Sequence, residues 1–134
     1  MRAHAMALAL IVAAVATACS GGAPASAIET PVTLSDETIT VESTLPSGVV
    51  SFTINNEGTV VHELEIVEGD GSGITLSQGV ADLSGLTVVD EVEDIVPGVT
   101  VDLEVDLEPG IYTLLCNYPG HYEMGMVTTV TVTG

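Results

Sequence analysis

Along residues 31–134 the apolar positions recur every second residue, and nowhere do they hold a helical period of useful length. Val101, Leu103, Val105 and Leu107 interleave with Asp102, Glu104 and Asp106, the alternation of a half-buried strand. Val50, Phe52 and Ile54 alternate with Ser51, Thr53 and Asn55 before the turn Asn56-Glu57-Gly58. Ile39 and Val41 share one side of a short run, and His62, Leu64 and Ile66 share a face opposite Glu63 and Glu65. Pro109-Gly110 turns the chain into a strand ending at Cys116, and Met126–Thr133 closes it. Val and Thr dominate these runs, as a pleated sheet favours. Short strands at regular spacing predict an all-β protein, a single-domain Greek-key β-sandwich over residues 31–134. Residues 69–87, rich in Gly and Ser, read as a long excursion forming a loop or a small helix.

Strand parity places two reactive side chains. His62 is in register with Leu64 and Ile66, and Cys116 with Tyr112 and Leu114, so both are expected to point inward. A buried polar group must find a partner. An inward imidazole and an inward thiol at strand ends could meet.

The first 18 residues change the cellular picture. Arg2, the apolar stretch Ala5 to Val15 and the small residues Ala16-Thr17-Ala18 have the three parts of a secretory signal. The stretch is shorter than the about 20 residues a membrane span needs. Ala16-Thr17-Ala18-Cys19 resembles a bacterial lipobox, which implies lipidation of Cys19 at a new N-terminus. Residues 19–30, mostly small, then read as a flexible tether. The alternative is ordinary cleavage after Ala25-Ser26-Ala27, which would release a soluble protein. Either route puts the domain outside the cytoplasm.

Charge narrows the partners. The chain holds 19 Asp and Glu against one Lys or Arg, a net charge of −18, and the single base is Arg2 in the leader. A mature chain without Lys or Arg cannot neutralise phosphates, which excludes nucleic-acid binding, and it offers no basic patch to a membrane. Because 46% of residues are apolar, the acidity marks the surface of a folded domain rather than disorder. Such a surface suits a basic partner, or a habitat of high salt.

The most specific feature is the stretch from Cys116 to Met126. It carries Cys116, His121, Met124 and Met126, and outside the leader the only other histidine is His62. Two imidazoles and a thiolate in a plane with a weak axial thioether are the donors of a type 1 copper site. One loop supplies Cys, His and Met, so the second imidazole must come from elsewhere, and inward His62 supplies it. Either Met124 or Met126 could be the axial donor on this reading. Two cysteines in a secreted chain would ordinarily pair, but a lipidated or removed Cys19 leaves Cys116 as a thiol for metal.

This pattern, Cys-x4-His-x4-Met with Pro119-Gly120 before the loop histidine, resembles that of the cupredoxins of the plastocyanin/azurin family. It is closest to rusticyanin, auracyanin and the sulfocyanin-like members. Asn55-Asn56-Glu57-Gly58 followed by Val61-His62 is similar to the segment bearing that family's upstream ligand. The resemblance implies one copper ion held by His62, Cys116, His121 and Met126, with Met124 at the rim. It implies one-electron transfer rather than catalysis, with His121 as the exposed ligand through which the electron leaves. Many members place Asn directly after the first histidine, where it steadies the cysteine loop; here that residue is Glu63, so the support must differ.

The expected function is therefore that of a monomeric extracytoplasmic electron carrier, lipid-anchored through Cys19. A basic c-type cytochrome or a membrane oxidase or reductase complex would be its redox partner. A copper carrier delivering metal to a partner is the alternative, and a metal-free sandwich a third. A Cys116/His121 hydrolase lacks a visible third orienting group.

Overall fold

The computed structural model describes residues 26–134. The leader and Cys19, with its expected lipid, lie outside the described residues. Four strands form one sheet in the order β2-β1-β4-β9: β1 Ile28–Leu34, β2 Ile39–Thr40, β4 Gly48–Asn56 and β9 Thr100–Leu107. Five form the second in the order β3-β11-β10-β5-β8: β3 Thr44–Pro46, β5 His62–Glu68, β8 Val88–Ile95, β10 Gly110–Leu115 and β11 Val127–Thr133. Connections from β4 to β5, β8 to β9 and β9 to β10 pass between the sheets, giving the expected all-β Greek-key sandwich.

Alternation decides which residues meet in the middle. Val50, Phe52 and Ile54 of β4 and Val32 and Leu34 of β1 face Leu64 and Ile66 of β5 and Leu114 of β10 in one buried cluster. Each large apolar side chain so removed from water contributes about 1.5–3 kcal/mol before conformational entropy is counted. The odd-numbered acids of β5 do not face solvent as the simple alternation suggests. Glu63 is 7% exposed and Glu65 9%, because a second layer lies over that face.

That layer is the excursion after β5. It forms neither a helix nor an irregular loop but a hairpin of β6 Thr75–Ser77 and β7 Val80–Asp82. Ala81 packs with Val67 and Leu115 in a second buried cluster, edged by Ile74, Leu83, Leu86, Tyr122 and Val127. Strands β5 and β10 are thereby covered on both faces.

Two strands depart from the sequence expectation. β1 begins at Ile28, inside the residues read as tether, and contains Pro31. It pairs along its whole length with β4 but with β2 only at Thr33 and Leu34, so Pro31 needs no N–H on its outer edge. β8 has a broken alternation because its register against β5 shifts between His62 and Leu64 and again between Ile66 and Val67. A bulge of this kind also explains Asp94, which has φ 55°.

The sandwich brings three chain segments to one end. His62 opens β5, Cys116 follows β10, and Met126 precedes β11. Between the last two lies a single helical turn, α1, His121–Met124.

Candidate metal centre

Cys116 and His62 are both fully buried and point between the sheets, as their strand parity requires. His121, at the start of α1, is half-buried and turns back toward them. The Cys116 Sγ lies 3.3 Å from His121 Nδ1 and 3.9 Å from His62 Nδ1, and the two Nδ1 atoms are 3.2 Å apart. The imidazole rings meet edge to face, with centroids 5.0 Å apart and planes at 64°. The three donor atoms form the one group of potential metal ligands of this kind found among the described residues.

Burial separates the two candidates for the fourth donor. Met126 is fully buried in the same cluster as Cys116, whereas Met124 is 52% exposed. Backbone bonds hold Met126 to both loop ligands: its N–H donates to the His121 carbonyl, and its carbonyl accepts from the Cys116 N–H, each at 3.1 Å. Met126, the expected axial donor, thus lies buried beside the other ligands, and Met124, expected at the rim, lies at the surface.

These residues fit a metal. First-row metal bonds of about 2.0–2.3 Å place trigonal donors about 3.5–3.8 Å apart, and the observed separations of 3.2, 3.3 and 3.9 Å lie around that range. A soft thiol, two imidazoles and a buried thioether are a donor set for copper. Burial pushes the Cys116 thiol above its ordinary range, so a metal must displace its proton. Burial, followed by the neighbouring His62, lowers the pKa of His121 and favours the neutral ring a metal needs.

The site is held by residues outside the donor set. Glu63, the residue after His62, supports the cysteine loop: its Oε1 accepts the Asn117 N–H at 2.8 Å. The Asn117 side chain in turn bonds the hairpin, with Oδ1 accepting from the Ala81 N–H at 2.6 Å and Nδ2 donating to the Ala81 carbonyl at 3.1 Å. Gly120 N–H donates to the Gly79 carbonyl at 2.8 Å. This approach requires glycine at the hairpin tip, because Gly79 has φ +78° and a Cβ there would lie 2.9 Å from the Gly120 nitrogen.

Burial also raises the pKa of Glu63, and Glu65 is pushed up to about 7 by burial and then by the charge of Glu63. Strand alternation sets both on the face opposite the core, and the hairpin and Asn117 make that face buried.

The two loop tyrosines part company. Tyr118 packs against His121 with centroids 5.8 Å apart, and its hydroxyl donates to Asp94 Oδ1 at 2.7 Å. Tyr122 lies instead at the edge of the outer cluster under the hairpin.

One residue at the site carried no signal in the sequence. Asp36, in the turn between β1 and β2, sets its Oδ1 3.2 Å from His62 Nε2. The Thr59 hydroxyl, then the Thr59 N–H, hold its carboxyl down to about 2. Twenty-six residues separate it from His62, and an acid in a turn of an acidic chain is unremarked until the fold closes.

Comparisons with known proteins bear on the fold and the family. A family model described as a cupredoxin-like domain matches residues 6–130. Reduced auracyanin from Roseiflexus castenholzii superposes with a TM-score of 0.61 at 20% identity, covering 81% of this chain and 98% of that one. Auracyanin A from Chloroflexus aurantiacus gives 0.54 at 21% identity, covering 77% and 99%. Rusticyanin from Thiobacillus ferrooxidans gives 0.60 at 17% identity, covering 81% and 79%. No curated protein matches by sequence. At these identities the structural likeness speaks for the fold, while the match over most of the chain speaks for the family. The chain belongs to the cupredoxin-like domain family, with His62, Cys116, His121 and Met126 positioned as a type 1 copper site.

Proposed function

We propose that this protein is a one-electron carrier working outside the cytoplasm, not an enzyme. The observation that carries the reading is the differing exposure of the four donors. His62, Cys116 and Met126 are fully buried, while His121 alone reaches the surface. Copper, when bound, supplies a Cu(I)/Cu(II) couple. The protein residues hold the donors in place through backbone and side-chain bonds from three separate segments, which keeps reorganisation small. His121 offers the electron a path to a docked partner across exposed Pro119 and Met124. The structural relative auracyanin A is described as a blue copper protein, which supports the same reading here.

The acidic surface suits a basic c-type cytochrome, or a basic face on a membrane oxidase or reductase complex, with association that slows as salt rises. Among the described residues no helix is long and apolar enough to cross a membrane. Attachment through a lipid on Cys19 is the proposed tether, and mass spectrometry of the membrane-extracted protein would reveal the acylated cysteine. A water-soluble chain beginning after Ala27 would replace that reading.

A second reading rests on Met124, 52% exposed beside His121: an accessible thioether could help pass copper to a partner. The test begins with Cu(II) titration, which should produce an intense visible thiolate-to-copper band, absent in Cys116→Ala. Voltammetry should then show a reversible one-electron wave. A protein that stays colourless sinks the copper reading, and one that surrenders copper rapidly to a chelator favours delivery over electron transfer.

A further inference from the structure

Four observations converge on the outer edge of the His62 ring. The Asp36 Oδ1 lies 3.2 Å from His62 Nε2. That carboxylate is itself oriented, because the Thr59 N–H donates to Oδ1 and the Thr59 hydroxyl to Oδ2, both at 2.7 Å. Gly58 makes room for the contact: a Cβ there would collide with Asp36 Oδ1 and stand 2.6 Å from His62 Nε2. The loop carrying Gly58 and Thr59 is pinned in turn. Asn56 Nδ2 donates to the carbonyls of Val60 and Ile95, its Oδ1 accepts from Gly58 N–H, and Glu57 N–H donates to the Leu34 carbonyl. Two loops distant in sequence are thus built around one carboxylate–imidazole contact.

We infer that Asp36 is a positioning residue of the metal centre, fixing the tautomer and plane of His62 and biasing the site toward Cu(II). A carboxylate only accepts hydrogen bonds, so Nε2 keeps its proton and Nδ1 presents its lone pair toward Cys116 and His121. A partner of this type also makes the ring a stronger donor. Unlike a neutral carbonyl in the same place, Asp36 adds a full negative charge behind the ligand, which favours the more highly charged metal ion. The buried ring and the half-exposed acid, with 0% and 39% of their side chains accessible, make the contact a bridge between the core and the surface turn. The part concerning copper rests on the copper reading of the centre; the part concerning the tautomer does not.

The experiment compares the unaltered protein with Asp36→Asn and Asp36→Ala. Long-range nitrogen–proton NMR of the metal-free protein should show His62 protonated on Nε2, with that preference lost in Asp36→Ala. Competition titrations should show Cu(II) affinity falling about ten- to a hundredfold in both variants, with Cu(I) affinity less changed. Each tenfold difference between the two ions raises the reduction potential by about 59 mV. Asp36→Asn keeps the shape and an acceptor for Thr59, so its potential decides the matter if Asp36→Ala does not fold. A metal-free His62 protonated on Nδ1 overturns the inference, as does an Asp36→Asn protein with an unmoved potential. An unaltered protein that takes up no copper ends the copper reading, while the NMR result still judges the role of Asp36.

Discussion

The carboxylate of Glu63 accepts the backbone N–H of Asn117 at 2.8 Å, so the residue after one metal ligand holds the residue after another. The contact spans 54 positions of sequence and ties the start of β5 to the end of β10. Removing the acceptor while leaving the buried N–H costs about 1–3 kcal/mol. Glu63→Ala should therefore lower the urea midpoint of the metal-free protein and weaken copper binding. Glu63→Gln, which keeps an acceptor without a buried charge, should restore the midpoint. Equal losses in both variants would show that charge, not the hydrogen bond, matters at this position.

Asn117 couples the ligand loop to the hairpin through its two bonds to Ala81. Asn117→Ala should destabilise the fold by about 2–3 kcal/mol, at roughly 1 kcal/mol for each lost bond plus the desolvated groups left behind. Native-state hydrogen exchange should localise the effect: the Ala81 amide, protected by Asn117, should exchange far faster, while amides of β4 and β9 keep their protection. Uniform loss of protection would mean that the hairpin is not a separate clasp.

Glu65 makes stability fall with rising pH. Burial, then repulsion from Glu63 and Glu91, raises its pKa from an ordinary 4.5 to about 7 in the folded chain, with Asn117 opposing the shift. The folded state therefore binds its proton more tightly than the unfolded state between about pH 4.5 and 7. This group's contribution is most favourable below that window and declines as pH rises through it. Asp70 and Asp82, whose pKa values are lowered by bonds to Ser72 and Ser84, act with the opposite sign at lower pH. Glu65→Gln should flatten the decline in midpoint between pH 5 and 8. An unchanged slope would assign it to other acids.

The two methionines should behave differently on loss of sulfur. Met126→Leu conserves volume in the core, so stability should change by less than about 1.5 kcal/mol. The visible band should shift and the reduction potential should rise as an axial donor is lost. Met124→Leu, at an exposed position, should leave both spectrum and potential in place. The reverse pattern would make Met124 the axial donor.

Legibility in the sequence followed the range of the interaction. The alternation in Val99–Leu107 and Val50–Asn55 announced β9 and β4, because a half-buried strand writes its two faces into neighbouring residues. The same parity placed His62 and Cys116 inward, and the spacing Cys-x4-His-x4-Met compressed three donors into one loop. β8 escaped notice because its bulges spoil the period, and β1 because Pro31 and the small residues before it resemble a tether. Residues 69–87 carried no period, so their hairpin was invisible.

By itself, then, the sequence determined the run of alternating strands, the loop that carries Cys116, His121 and two candidate thioethers, and the acidic setting, since each is encoded by residues a few positions apart. Only the tertiary structure decided what holds those donors. Asp36 reaches His62, Glu63 reaches Asn117, and Gly79 reaches Gly120 across 26, 54 and 41 positions. Such contacts leave no periodic trace, because hydrogen bonds between loops depend on where the folded backbone carries each group and not on the identity of its neighbours in the chain.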